Sequence, residues 1–459
     1  MWFIIFMSGL YLISFGLICH LLLSRKSQTS LILWTLWLLL NPILGIPLYL
    51  VLGTDKIHQR RLRTFEPVHH SKDEPPASKD LPKILHDLGK VKRNRISQMT
   101  QPELLWGGKA FYQRLVEDID QAENFIHMQT YVWRNDDEGR MVMAALCRAA
   151  DRGVTVRVIT DEMGSFSTNK EFFQPLKKAG GHFSWNSTVH TRRFRFFFNF
   201  RNHRKLILLD GRTAYLGGMN IGKEYAGRAI GPWTDLQMRF SGPILHVLQD
   251  SFAEDWHFST LEQLNDLNRY YPASPEGELP VTTLPSGPDQ QDASYLITFQ
   301  MICSVATKRL DLFTPYFVPS QNILIAIQAA AIRGVRVRLM IPTLNEHMYM
   351  VDIGRAYYEM LLEDGVEIYE LPDHVNHTKA FRVDDDLIFA GSHNLDVRSY
   401  KLNFELSLFF QCRETAKAMD DVFDELFAKS KQIELEAFAN RPLFTKIKQG
   451  FIRLFGPVL

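Results

Sequence analysis

Cysteine is scarce in this 459-residue chain: Cys19, Cys147, Cys303 and Cys412 stand far apart, with no C-x-x-C pair. That excludes a disulfide framework and a cysteine-built structural zinc site, and leaves inert thiols in a reducing compartment. An excess of one charge sign is missing too, because 52 Lys and Arg offset 51 Asp and Glu. The chain as a whole lacks the basic surface of a dedicated nucleic-acid binder, so local charge has to carry any anion-binding argument. Charge is absent altogether from residues 1–23 and 31–52. Each stretch is long enough to cross a hydrocarbon layer as a helix of about 20 residues, which predicts a transmembrane hairpin over 1–53. A cleaved signal peptide is the alternative for the first stretch, but no basic segment precedes it and Arg25-Lys26 follow it. Lys56, Arg60, Arg61 and Arg63 after the second stretch outnumber Arg25 and Lys26, so the positive-inside bias places the rest of the chain in the cytoplasm. Asn41-Pro42, Gly45 and Pro47 predict a kink or close helix packing within the second span.

The whole chain has a 46% hydrophobic share and length for about two or three domains, which excludes a disordered polar chain. Residues 54–80 mix charge, histidine and Pro75-Pro76 without apolar periodicity and are expected to be a linker. Phe125 to Trp133 alternates like a strand, Met141 to Arg152 has helical spacing, and Val154 to Thr160 is a β-branched strand. The same order returns as Leu310 to Phe317, Gln321 to Arg333 and Val335 to Ile341, with Arg152-Gly153-Val154 echoed by Arg333-Gly334-Val335. A strand, helix, strand order implies a parallel sheet. The expected class is therefore α/β, with similar lobes at 81–270 and 294–435 joined by a Pro- and Gly-rich linker at 271–293 and followed by an amphipathic tail at 436–459. Two similar lobes are expected to pack about a pseudo-twofold axis and to share one site.

The chemistry lies in a duplicated pattern. Counting from His203, lysine follows at +2 (Lys205), aspartate at +7 (Asp210), glycine at +14 (Gly217), a small residue at +15 (Gly218) and asparagine at +17 (Asn220). From His377 the same spacings give Lys379, Asp384, Gly391, Ser392 and Asn394. A single His-x-Lys on a half-exposed strand arises by chance, but repetition at every spacing does not. On a strand, residues two apart share a side, and a glycine-rich turn lets backbone and carboxamide approach a ligand closely. Two lysines and two asparagines form an anion clamp for one phosphoryl group. Paired imidazoles supply a nucleophile for phosphorus and a protonated acid for the leaving oxygen. No metal or other cofactor is expected, since the spacing matches no zinc signature and lysine is a poor ligand. Asp235 and Glu405, downstream of the two motifs, are candidates for orienting the imidazoles and favouring their protonated form. Asp210 and Asp384 stand either among the catalytic residues or as structural acids that anchor a strand end.

At these residues the chain resembles the phospholipase D superfamily, whose signature is a duplicated H-x-K-x(4)-D with a downstream G-G/S-x-N. The segments Arg201 to Lys205, Gly217 to Gly222, Trp233 to Asp235, Thr314 to Pro319 and Gly391 to Ser399 are similar to the bacterial cardiolipin synthase branch, as is the two-span anchor. The resemblance implies transfer of a phosphatidyl group from one phosphatidylglycerol to another through a phosphohistidine, with His203 as nucleophile and His377 as acid, although the near-symmetry of the motifs leaves that order open. A hydrolase, either a membrane-anchored phospholipase or a nuclease, differs only in the group that resolves the intermediate. The expected partners are an anionic phospholipid and the bilayer of a bacterial plasma membrane, with no nucleic acid; oligomeric state is not encoded legibly. Residues 190–201 interleave arginine and phenylalanine and residues 442–459 read as an amphipathic helix, so both are candidates for contact with anionic lipid. A buried strand and docking onto the protein body are the respective alternatives.

Overall fold

The computed structural model describes residues 2–24, 28–53, 81–186, 200–228, 231–273, 275–288, 293–344, 348–454 and 456. The expected linker at 54–80 and most of the Arg/Phe run, 190–199, lie outside the described residues. The chain divides into an N-terminal unit and a main body.

The N-terminal unit holds α1 (Trp2–Leu22), α2 (Gln28–Leu40) and α3 (Pro42–Leu52). Of these, α1 is long and apolar enough to cross a membrane. The second expected span is broken: Pro42 has no N–H to continue the helical ladder, and Asn41 Oδ1 caps the new helix by accepting from Leu44 N at 3.2 Å. At about 1.5 Å per residue, α2 alone is shorter than the roughly 30 Å hydrocarbon layer. A Cβ on Gly45 would lie 2.6 Å from the Trp37 carbonyl, so the break also needs glycine there. Leu21, Leu38, Ile46 and Tyr49 close a small core among the three helices.

Two mixed sheets build the main body. One runs in the order Glu103–Trp106, Leu236–Phe240, Thr213–Gly217, Leu206–Leu209, Phe125–Thr130, Thr155–Thr160, His182–Trp185. The other runs Arg95–Met99, Leu279–Ser286, Asn403–Gln411, Leu387–Gly391, Ala380–Val383, Arg309–Phe313, Arg336–Pro342, Glu367–Leu371, Lys431–Gln432, with Arg201–Asn202 paired beside Asn403. The expected strand, helix, strand units are present and parallel, Phe125–Thr130 against Thr155–Thr160 and Arg309–Phe313 against Arg336–Pro342. The rest of each sheet is mainly antiparallel, so neither is the parallel sheet expected. Leu206, Leu216 and Met238 of the first sheet and Ile388, Leu406 and Phe410 of the second lie in one buried core with Phe252 and Phe423.

Two boundaries differ from expectation. Residues 271–293 contain the strand Leu279–Ser286, paired on both sides. Pro280 and Pro285 make the stretch read as a linker, but the Val281-Thr282-Thr283-Leu284 between them is buried and strand-forming. Its partner Arg95–Met99 thereby joins the sheet of the second half.

The Arg-Gly echo has a structural cause. Arg152 donates to the Ile119 and Ala122 carbonyls at the end of helix Gly107–Gln121. Arg333 donates likewise to Cys303 and Ala306, at the end of helix Ser294–Val305. Gly153 and Gly334 have φ of 90° and 88°, the left-handed conformation that turns each helix into the next strand.

The tail forms a helix, Leu443–Arg453, that docks on the protein body by one side. One side docks: Ile452 packs on Val318, Met350 and Ile353, and Lys448 Nζ pairs with Asp352 at 2.7 Å. The other side leaves Leu443, Phe444, Ile447 and Phe451 exposed.

Candidate active site

The two H-x-K tripeptides are not regular strand. Each lies between a two-residue strand and the next sheet strand: Arg201–Asn202 precedes His203, and Val375–Asn376 precedes His377. These short strands pair with the other half of the chain. Arg201–Asn202 runs parallel to Asn403-Phe404, and His203 N donates to the Phe404 carbonyl at 2.9 Å. Val375–Asn376 runs parallel to Trp233-Thr234, and His377 N donates to the Thr234 carbonyl at 2.8 Å.

The carboxylates are therefore crossed. His203 Nδ1 lies 2.9 Å from both oxygens of Glu405, downstream of the second motif. His377 Nδ1 lies 2.6 Å from Asp235 Oδ2, downstream of the first. A carboxylate only accepts, so a neutral imidazole facing it carries its proton on Nδ1; at His377, Lys379 Nζ also lies 2.7 Å from Nδ1 and 3.3 Å from Nε2. Glu405 is fully buried and accepts further from Ser392 Oγ at 2.6 Å, Ser399 Oγ at 2.9 Å and Asn403 Nδ2 at 3.3 Å. Asp235 accepts from Leu236 N at 2.8 Å, with Lys379 Nζ 3.8 Å away.

The variable position of the glycine turn follows from this. A Cβ on Gly218 would fall 2.2 Å from Asp235 Oδ1. The longer Glu405 instead meets Ser392, whose hydroxyl it accepts. Gly217 and Gly391 leave no room for a side chain either, against the Leu236 carbonyl and Ser407.

Lys205 Nζ donates to the His203 carbonyl at 2.6 Å, and Lys379 Nζ donates to the His377 carbonyl. Both ammonium groups are buried. Burial pushes Lys205 well down and Lys379 to about 8, with the carboxylates opposing. Burial and the lysines also hold both imidazoles down, His203 well below its usual range and His377 to about 3. These surroundings favour two neutral histidines, unlike the protonated partner expected from the carboxylates alone.

Asp210 and Asp384 do not face the histidines. Asp210 accepts from the backbone N–H of Glu123, Asn124 and Phe125, each at 2.8 Å, where strand Phe125–Thr130 begins. Asp384 does the same for Thr307, Lys308 and Arg309 at 2.7–3.1 Å, where strand Arg309–Phe313 begins. Both sit at positive φ, 53° and 47°. Each lies five residues beyond its lysine at the far end of a strand, about 16 Å at 3.3 Å per residue. The expectation of a catalytic role gives way to that of strand anchors.

One cavity of about 360 Å³ takes in His203, His377, Asn220 and Asn394. Asn220 Oδ1 accepts from Val132 N at 3.1 Å and its Nδ2 donates to Tyr225 Oη at 2.7 Å. Tyr131, Arg134, Arg201, Trp233, Tyr316 and Arg398 also line it. Tyr131 and Tyr316 follow the equivalent strands Phe125–Thr130 and Arg309–Phe313 one position apart in the repeat, since Thr130 Oγ1 donates to the Val132 carbonyl as Thr314 Oγ1 donates to the Tyr316 carbonyl, so spacing does not pair them. Tyr131 stands 4.9 Å from the His203 ring, and Trp233 5.6 Å from the His377 ring.

A family model described as cardiolipin synthase, PLD-like domain, matches residues 115–256 and 300–427. The major cardiolipin synthase of Bacillus subtilis is 30% identical, over 95% of each chain. A cardiolipin synthase of Listeria innocua is 34% identical over 79% of this chain and 76% of its own. Among solved structures, a phosphatidylserine synthase from Haemophilus influenzae superposes with a TM-score of 0.64 at 14% identity, covering 82% of this chain and 99% of its own, which is a likeness of fold.

Proposed function

The chain belongs to the cardiolipin synthase, PLD-like family, and from that premise we propose that it joins two phosphatidylglycerol molecules into cardiolipin and releases glycerol. The observation that carries the reading is the meeting of both motif histidines at one cavity, each fixed through Nδ1 by a carboxylate from the other motif.

The first phosphatidylglycerol seats its phosphodiester between Lys205 and Lys379. Its negative charge offsets the lysines that hold the imidazoles neutral, so one imidazole gains a proton as the lipid binds. His203 Nε2 attacks phosphorus, the bond to the glycerol oxygen breaks, and His377 gives that oxygen its proton. The second phosphatidylglycerol presents a glycerol hydroxyl; His377 takes its proton, the new O–P bond forms and the N–P bond to His203 breaks. Trapping the phosphoryl group on His377 would reverse the order. Asp235 and Glu405 hold the rings and their tautomers throughout.

The two lobes are read as related by a pseudo-twofold axis, with 81–270 and 294–435 as their main extents. The N-terminal helices anchor the chain in a membrane, α1 crossing and the broken α2–α3 segment returning, with the catalytic region on the cytoplasmic side. The exposed apolar side of Leu443–Arg453 rests on the lipid surface.

Purified protein is incubated with phosphatidylglycerol labelled in both glycerol units. Cardiolipin with an equimolar release of glycerol is the expected result; phosphatidic acid as the main lipid product would replace the transferase by a hydrolase.

A further inference from the structure

The two halves of the cavity wall are not equivalent. Sequence spacing pairs each lining residue with a counterpart in the other motif, and Gly218 N to the Leu236 carbonyl at 2.9 Å matches Ser392 N to the Leu406 carbonyl at 3.0 Å, which aligns Asp235 with Glu405. Two residues before these carboxylates stand Trp233 and Asn403; four after the motif asparagines stand Glu224 and Arg398; two before the histidines stand Arg201 and Val375. One wall thus offers Arg201, Arg398, Asn394 and Asn403. The counterparts are the buried Val375, Glu224 paired with Arg134 at 2.9 Å, Asn220 with both ends of its carboxamide engaged, and Trp233.

The two arginines adjoin one another through the backbone: Arg201 N donates to the Leu402 carbonyl, and Leu402 N donates to the Arg398 carbonyl at 2.8 Å. Burial, and then the Arg201 guanidinium beside it, lower Arg398. Asp396, which lines the same cavity, and the buried Asp161 offset part of the arginines' charge, and an anion entering the cavity matches the remainder. Beside them, the side-chain oxygens Asn394 Oδ1 and Asn403 Oδ1 are buried and have no hydrogen-bond partner among the described residues. Asn403 Nδ2 is committed to Glu405 at 3.3 Å, so its oxygen is the end that is left. An unpaired buried acceptor costs free energy unless a ligand donates to it.

We propose that Arg201, Arg398, Asn394 and Asn403 form a second subsite for the acceptor lipid, with the arginines on its phosphodiester and the asparagines accepting from its glycerol hydroxyls. The subsite rests on the synthase reading and supplies what a hydrolase does not need, since water carries no second phosphate. Transfer to the acceptor breaks the His N–P bond, forms an O–P bond and passes the hydroxyl proton to the other histidine. Transfer to free glycerol follows the same steps without the second anion, which separates the two.

The test supplies phosphatidylglycerol vesicles with labelled free glycerol, and measures cardiolipin formed against label incorporated into phosphatidylglycerol. Loss of a charged hydrogen-bond partner weakens a contact about tenfold or more. Arg201→Gln and Arg398→Gln are expected to lower the ratio of cardiolipin to labelled phosphatidylglycerol about tenfold each, with glycerol incorporation falling far less, and Arg398→Lys is expected to recover part of the ratio. An unchanged ratio, or an equal fall in both products, would overturn the subsite. Glycerol incorporation by the wild type with no cardiolipin would remove the synthase reading itself and the subsite with it.

Discussion

His203 and His377 each commit Nδ1 to a carboxylate and line the same cavity. Burial and the neighbouring lysines hold His377 down to about 3 against the pull of Asp235. This has a consequence for stability. Unfolded, the imidazole titrates near 6.5, so between about pH 6.5 and 3 the unfolded chain binds a proton that the folded chain refuses. Stability therefore falls as pH drops through that window, by at most about 1.4 kcal/mol per pH unit for one such group. In His377→Gln the fall of melting temperature from pH 6.5 to pH 4 is expected to be shallower than in the wild type; an identical slope would contradict a neutral buried imidazole. At this scale the two His/Lys pairs were legible because their spacing is duplicated, and so were the carboxylates, as Trp-Thr-Asp and Asn-Phe-Glu. Which histidine each carboxylate serves was not, because nothing in a linear spacing marks a pairing that crosses between halves. Asp210 and Asp384 share the motif but hold strand ends, a role that becomes visible only once backbone amides converge on them.

At the scale of elements, two-residue strands do the crossing. Arg201–Asn202 and Val375–Asn376 are too short to leave a hydropathy pattern, yet each pins a histidine against the opposite half. If this pairing orients the rings, Asp235 acts through His377 and not through His203. A double-mutant cycle on cardiolipin formation is expected to show a coupling of about 1–3 kcal/mol between Asp235→Asn and His377→Gln. Coupling of Asp235→Asn to His203→Gln that is equally large would mean that the carboxylate serves the site's overall charge instead. The strand, helix, strand units were readable from β-branched runs and helical spacing, and their closure by Arg152-Gly153 and Arg333-Gly334 left an audible repeat. The strand Leu279–Ser286 was hidden by its two prolines, and the break after α2 was foreshadowed by Asn41-Pro42 as a kink in one span.

For the whole molecule, the two halves carry matched motifs that meet at one cavity, and their surroundings differ. Gly218 faces Asp235 while Ser392 faces Glu405; Trp233 stands where the other half has Asn403. Such a site needs both halves of one chain. The most direct test compares cardiolipin formation by His203→Ala, by His377→Ala and by an equimolar mixture of the two. Each single variant is expected to lose about a thousandfold or more, in line with removal of a nucleophile or a general acid, and the mixture is expected to stay as inactive as its components. Near-normal activity in either variant, or recovery of a sizeable fraction of wild-type activity on mixing, would contradict one site built by both motifs of a single chain.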